Sequence, residues 1–209
     1  TDEYLEETLL RGLIIGYGTL REKEDVVISL EMLDEYLPLI DNWMICDTFC
    51  NTFKIASFPE YREEVLNHII FFLQFGSEYA ERTAFILYLN QLLKYDSDGN
   101  KLNRLKTVTL KDIESTDRES AMLDKFLPFA LKDLDGRFYS QMGAAWFLAE
   151  AFNVYPDKIW PLLKSGKNMG VDKKTYSLTL RKIIESRVPS KEVKELIKEL
   201  RLSEADNER

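Results

Sequence analysis

The chain has 209 residues, 45% of them hydrophobic and 31% charged, which is enough to bury a sizeable core and unlike the composition of a disordered chain. A net charge of −8 speaks against a generally basic nucleic-acid binder, and no run approaches the roughly eighteen apolar residues of a membrane span. The opening Thr1-Asp2-Glu3-Tyr4 has neither the basic nor the apolar region of a signal peptide, so a cytoplasmic protein is expected.

Apolar residues recur with a period near 3.6 and predict helices near 3–16, 23–37, 43–56, 60–75, 78–94, 118–133, 138–154, 157–165, 173–186 and 190–201. In the second of these, Val26, Val27, Leu30, Leu33 and Leu37 form the core stripe, which Pro38 ends. Pro59, Pro128, Pro156 and Pro189 mark other boundaries or helix ends. No alternation of period two runs long enough to build a sheet. Short antiparallel helix pairs in succession predict an all-α fold, an α-solenoid of stacked hairpins in one domain over residues 1–209. No single repeat sequence can be extracted.

The third helix opens Asp41-Asn42-Trp43-Met44-Ile45-Cys46-Asp47-Thr48-Phe49-Cys50 and sets the indole of Trp43 four residues from the carboxylate of Asp47, on one helical face. An aromatic face and an anion together stabilise a developing positive charge. The structural alternative is a core tryptophan with an aspartate that caps a helix or pairs with a buried arginine. Cys46 and Cys50 lack the further Cys and His of a zinc pattern and are expected to be small buried residues in a reducing compartment. His68, the single histidine, lies in an apolar helix with no second His for a metal pair or a triad, so it is expected at the core edge, and no metal is expected.

Residues 96–116 interrupt the helical pattern as an insertion, a polar turn leading into an extended or hairpin segment, with Lys101, Arg104, Lys106 and Lys111 expected to be exposed. Its Asp96-Ser97-Asp98-Gly99-Asn100 start is not a calcium loop, since the glycine stands fourth instead of sixth and Thr107 takes the place of the bidentate glutamate. Charge is uneven along the chain. Residues 1–63 hold 14 acidic and 5 basic side chains, whereas 164–201 hold 11 basic and 5 acidic, so a bound anion is expected on the C-terminal part.

The run Asp41-Asn42-Trp43-Met44-Ile45-Cys46-Asp47 resembles the signature of the DNA alkylation repair enzyme family, the HEAT-like alkylpurine DNA glycosylases. Three further stretches resemble the family in order and spacing. Glu81-Arg82-Thr83-Ala84-Phe85-Ile86-Leu87 is similar to its arginine-bearing helix start, and Ser140-Gln141-Met142-Gly143-Ala144-Ala145-Trp146-Phe147-Leu148 to the helix of its second functional tryptophan. Thr179-Leu180-Arg181-Lys182-Ile183-Ile184-Glu185-Ser186 resembles its C-terminal basic helix. The resemblance runs from about Tyr4 to Arg201 and begins inside the family pattern, without its first helices.

The resemblance implies a curved stack of HEAT-like repeats that grips duplex DNA containing alkylated purines and hydrolyses the N-glycosidic bond. It implies Trp43 and Asp47 as the catalytic pair, Trp146 as the tryptophan completing the aromatic cleft, and Arg82 as a phosphate contact. Lys173, Lys174, Arg181 and Lys182 are the basic residues expected on DNA. No cofactor is expected, and the protein is expected to act as a monomer. The alternative from another class is a non-catalytic HEAT-like scaffold that binds branched DNA or a protein partner. Trp160 matches no family site and is expected in the core.

Overall fold

The structure is a computed structural model that describes residues 4–18, 26–55, 58–75, 77–95, 100–102, 105–115 and 120–206. Its helices are α1 (Leu5–Gly18), α2 (Val26–Tyr36), α3 (Trp43–Thr52), α4 (Arg62–Phe75), α5 (Glu78–Leu87), α6 (Leu110–Glu114), α7 (Ala121–Ala130), α8 (Phe138–Val154), α9 (Pro156–Lys164), α10 (Lys173–Glu185) and α11 (Lys191–Asp206). Among the described residues there is no strand, only isolated bridges between Tyr95 and Lys101 and between Val108 and Pro189. The fold is all-α. No helix among the described residues is long and apolar enough to cross a membrane. The chain divides into two compact units, Thr1–Leu93 and Lys94–Arg209.

In the first unit α3 is the central element, packed against both α1 and α5. Asn42 starts it, its side-chain oxygen accepting from the backbone N–H of Met44 at 3.0 Å and of Ile45 at 3.1 Å, which satisfies two of the donors that a helix start leaves open. Ile45, Cys46, Phe49 and Cys50 then face inward, with Phe49 between Tyr36 at 4.8 Å and Phe53 at 5.2 Å, ring centre to ring centre. The face of α1 turned inward is built from Thr8, Gly12 and Gly16. A Cβ on Gly12 would collide with the Tyr36 hydroxyl and one on Gly16 with the Thr52 side chain, so glycine sets how closely α1 approaches. The Tyr36 hydroxyl donates to the Thr8 carbonyl at 2.8 Å, fastening α2 to α1.

The α2 stripe is not the expected one: Val26, Ser29, Leu33 and Tyr36 are buried, whereas Val27 is 62% exposed. The buried residues Val26, Ser29, Leu33 and Tyr36 centre on a direction roughly 140° around the helix from Val27, which therefore faces away from the core. Residues Ala80–Leu87 of α5 are all buried, and the helix continues as a π turn over Tyr88–Leu92. That turn brings Gln91 to the end of α3, where its side-chain amide donates to the Cys50 carbonyl at 2.9 Å. His68 on α4 sits at the core edge, with Nε2 2.8 Å from Asp34 Oδ1 on α2 and its ring edge-on to Phe72.

In the second unit the 17-residue α8 is the buried core, with α10 and α9 packed on it. Gly143, Ala144, Ala145, Ala149 and Ala151 keep its surface narrow for those neighbours. Asp172 caps α10 and does more than cap. Its carboxylate accepts from the Thr175 N–H at 2.9 Å and hydroxyl at 2.6 Å, from the Leu134 N–H at 3.2 Å and from the Gln141 side chain at 2.8 Å, joining the α7–α8 connection, α8 and α10.

Within the expected insertion, residues 110–114 form α6, started by a Thr109/Asp112 capping box and packed on α9. Val108 beside it pairs with the chain ahead of α11, its N–H donating to Val188 and its carbonyl accepting from Ser190. Lys101, Lys106 and Lys111 are exposed, while Arg104 and the Asp96–Gly99 turn lie outside the described residues. Trp160, expected in the core, is half-buried on α9.

Candidate functional site

Trp43 is the first residue of α3 and is 53% exposed. One turn later on the same face, Asp47 has a side chain that is 24% exposed. Arg82, on the second turn of α5, reaches across the α3–α5 contact with its side chain only 7% exposed. Its Nε–H donates to Asp47 Oδ1 at 3.0 Å and its Nη2–H to Oδ2 at 2.9 Å, the forked geometry in which a guanidinium matches a carboxylate. The neighbouring residue extends the same seam. Thr83 Oγ1 lies 3.4 Å from Cys46 Sγ, and the Thr83 carbonyl accepts from Cys50 Sγ at 3.8 Å.

Two physical consequences follow for Asp47. A carboxylate held by two parallel bonds has little freedom to rotate, so its charge occupies a fixed position before any reaction begins. Part of that charge is offset by the guanidinium, which weakens the field toward the exposed side. The resemblance assigns Arg82 to a phosphate, whereas here two of its donors are engaged with a carboxylate inside the unit.

Cys46 and Cys50 are free thiols and fully buried, and burial first of all, then hydrogen bonding from Cys46, pushes the Cys50 thiol well above its ordinary value. Among the described residues no group of three or more His, Cys, Asp and Glu side chains could hold a metal ion.

The other expected residues belong to the second unit. Trp146 is half-buried on α8, and the ammonium of Lys182 lies 5.8 Å from its ring centre. Lys173, Lys174 and Arg181 are exposed along α10. Lys174 lies 4.7 Å from the centre of the Phe138 ring at the start of α8, and Arg181 stands 3.7 Å from Glu185 on its own helix. The two lysine–aromatic pairs are each eight residues apart on α8 and α10, roughly 12 Å along the helix axes. Lys173 and Lys174 also join Asp133, Asp135, Asp172 and Ser177 around an open cleft of about 600 Å³.

The structure therefore brings Asp47 and Arg82 together, puts Trp43 one turn away, and brings Trp146 and Lys182 together. Sequence reasoning missed Thr83, Phe138 and the Asp172 cluster. The Asp172-x-x-Thr175 spacing at a helix start could have exposed the last of these, since that pattern is an N-cap signal. Phe138 shares a helical face with Trp146 eight residues on, a weaker signal of the same kind. Comparison with models of known families, with curated proteins and with solved structures gives no match to this chain.

Proposed function

We propose that the chain is a DNA repair glycosylase that hydrolyses the N-glycosidic bond of N3- or N7-alkylated purines in duplex DNA, on a HEAT-like stack of helical hairpins. The observation that carries this reading is a pinned anion beside an open aromatic face: Asp47, held by two bonds from Arg82, one turn from the exposed indole of Trp43. A purine alkylated at N3 or N7 is already cationic, so it can take the electron pair of the C1′–N bond and leave the sugar oxocarbenium-like. A carboxylate fixed beforehand stabilises that charge without reorganising as it forms. In the proposed step water then adds to C1′, oriented by Asp47, which takes its proton.

In this reading Trp43 offers its π face to the cationic lesion. Lys173, Lys174, Arg181 and Lys182 neutralise backbone phosphates, a contribution that holds the duplex without reading its sequence. Arg82 acts on Asp47. The protein works as a monomer in the cytoplasm, at the nucleoid when bound. The test is base release from duplex DNA methylated to carry N3-methyladenine and N7-methylguanine. Release above the spontaneous rate by the parent, lost in Asp47→Asn, supports the reading; equal and spontaneous rates for both sink it.

One observation favours a second reading, a non-catalytic scaffold for branched DNA or a protein partner. A nearly buried Arg82 bonded to Asp47 would serve equally well as a tie between α3 and α5 in a fold that performs no chemistry. Tight binding of a branched duplex with no base release would select it.

A further inference from the structure

Helix α1 presents its residues in an inverted sense. Its buried side carries Thr8, Gly12 and Gly16, while Leu10, Leu13, Ile14 and Tyr17 follow the i, i+3, i+4, i+7 spacing that ordinarily faces a core and lie on the other side, roughly 150° around the helix. Leu10 is 58% exposed, Ile14 72% and Tyr17 59%; Leu13 is half-buried. Together with Gly18 they line an apolar groove of about 490 Å³. Single exposed apolar residues are ordinary on a surface, but a continuous stripe of this kind marks a contact.

We propose that this stripe seats one further amphipathic α-helix, whose own apolar stripe is flanked by lysines or arginines. Size is the first argument. Three side chains exposed to this degree present on the order of 400 Å² of apolar surface, about half of the roughly 800 Å² per partner that a stable complex of two folded proteins buries. That suits a single helix and is too little to hold a second copy of the chain.

Direction is the second argument. α5 packs on α3, and α1 meets α3 at Gly16 and α2 at Gly12, so the stripe opens on the side of α1 turned away from both neighbours, where a further helix of the same row would lie. Charge is the third. Glu6 and Glu7 stand in the first turn of α1 against one basic residue, Arg11, in the whole helix, and residues 1–63 carry nine more acidic than basic side chains, so the complementary flank is positive.

The experiment titrates the whole chain into a fluorescein-labelled synthetic helix of about 18 residues, with leucines at i, i+3, i+4 and i+7 and lysines beside them. A saturable rise in anisotropy is expected, weakened about tenfold or more by Ile14→Glu, since burying one isoleucine contributes about that much. The same peptide with glutamates for the lysines should bind several-fold more weakly. Because Ile14 is 72% exposed, the variant should melt at the parent temperature, which separates lost docking from lost folding. Equal binding by parent and variant, or no saturable binding by the parent, overturns the proposal. So does sedimentation of the chain alone as a dimer that Ile14→Glu dissociates, because the occupant is then a second copy.

Discussion

Arg82 and Asp47, 35 residues apart in sequence, are joined by two parallel hydrogen bonds of 3.0 and 2.9 Å across the α3–α5 contact. The fork makes the geometry of the carboxylate depend on a residue of another helix. It also means that Asp47 contributes both an anion and a structural tie, and these two contributions can be separated by substitution.

Asp47→Asn keeps the shape and one acceptor oxygen but removes the charge. On the proposed glycosylase reading, single-turnover base excision should fall about 10²-fold or more, because a neutral amide does not stabilise an oxocarbenium-like charge as the carboxylate does. DNA binding should change far less. Unaltered single-turnover excision in the variant would remove Asp47 from the mechanism.

Arg82→Ala should reduce excision through Asp47 and not through the duplex. In a double-mutant cycle with Asp47→Asn the two losses should then be strongly non-additive, with a coupling on the order of 1–3 kcal/mol. Arg82→Lys, which keeps the charge and loses the fork, should recover only part of the rate. Affinity for duplex DNA should keep the parent salt dependence. A slope shallower by about one unit, with additive rate losses, would show instead that Arg82 reaches a phosphate.

Much of the helical frame was legible because long amphipathic segments carry their own period. The start of α3 at Asn42 follows from capping chemistry, whereas α8, buried nearly all round, shows as a long unbroken run of apolar and small residues and not as a stripe. α6 was not legible, since five residues make little more than one turn and cannot show a period. Val27 was misassigned because the true stripe of α2 includes Ser29, which no hydrophobicity pattern selects. At the site, the Trp43–Asp47 spacing could be read directly, being local to one helix. The Asp47–Arg82 pairing could not, because helix-to-helix register is set by packing, here by Cys46 and Cys50 against Thr83.

Gly12 and Gly16 should respond differently to alanine. Each substitution gains about 1 kcal/mol of helix propensity, against which stands the collision of the new methyl group. At Gly12 the obstacle is the outer end of the Tyr36 ring, whereas at Gly16 it is the Thr52 hydroxyl together with the Thr52 Cβ and backbone. Gly16→Ala should therefore destabilise the first unit by about 1–3 kcal/mol, as overpacking does, and Gly12→Ala by less. Thermal melts of the two variants check the order, and a Gly16→Ala chain as stable as the parent would mean that α1 shifts away freely.

Asp172 contributes a pH dependence to stability. Burial acts to raise its carboxyl, but the Thr175 hydroxyl and N–H, the Leu134 N–H and the Gln141 amide outweigh burial and hold it below the ordinary value. A carboxyl depressed in the folded state takes up its proton more readily in the unfolded chain. Its contribution is therefore whole above the unfolded value of about 3.9 and is lost as pH falls through the lower folded value. Asp172→Ala removes the cap of α10 and should lower stability by about 1–2 kcal/mol near neutral pH. Asp172→Asn, which can still accept from Thr175, should lose less. Urea unfolding should give the same gap between parent and Asp172→Ala from about pH 8 to about pH 5, then a narrowing gap below about pH 4. A gap that stays constant down to about pH 3 would mean that the charge on Asp172 contributes nothing and that the tie between α8 and α10 is made by its shape alone.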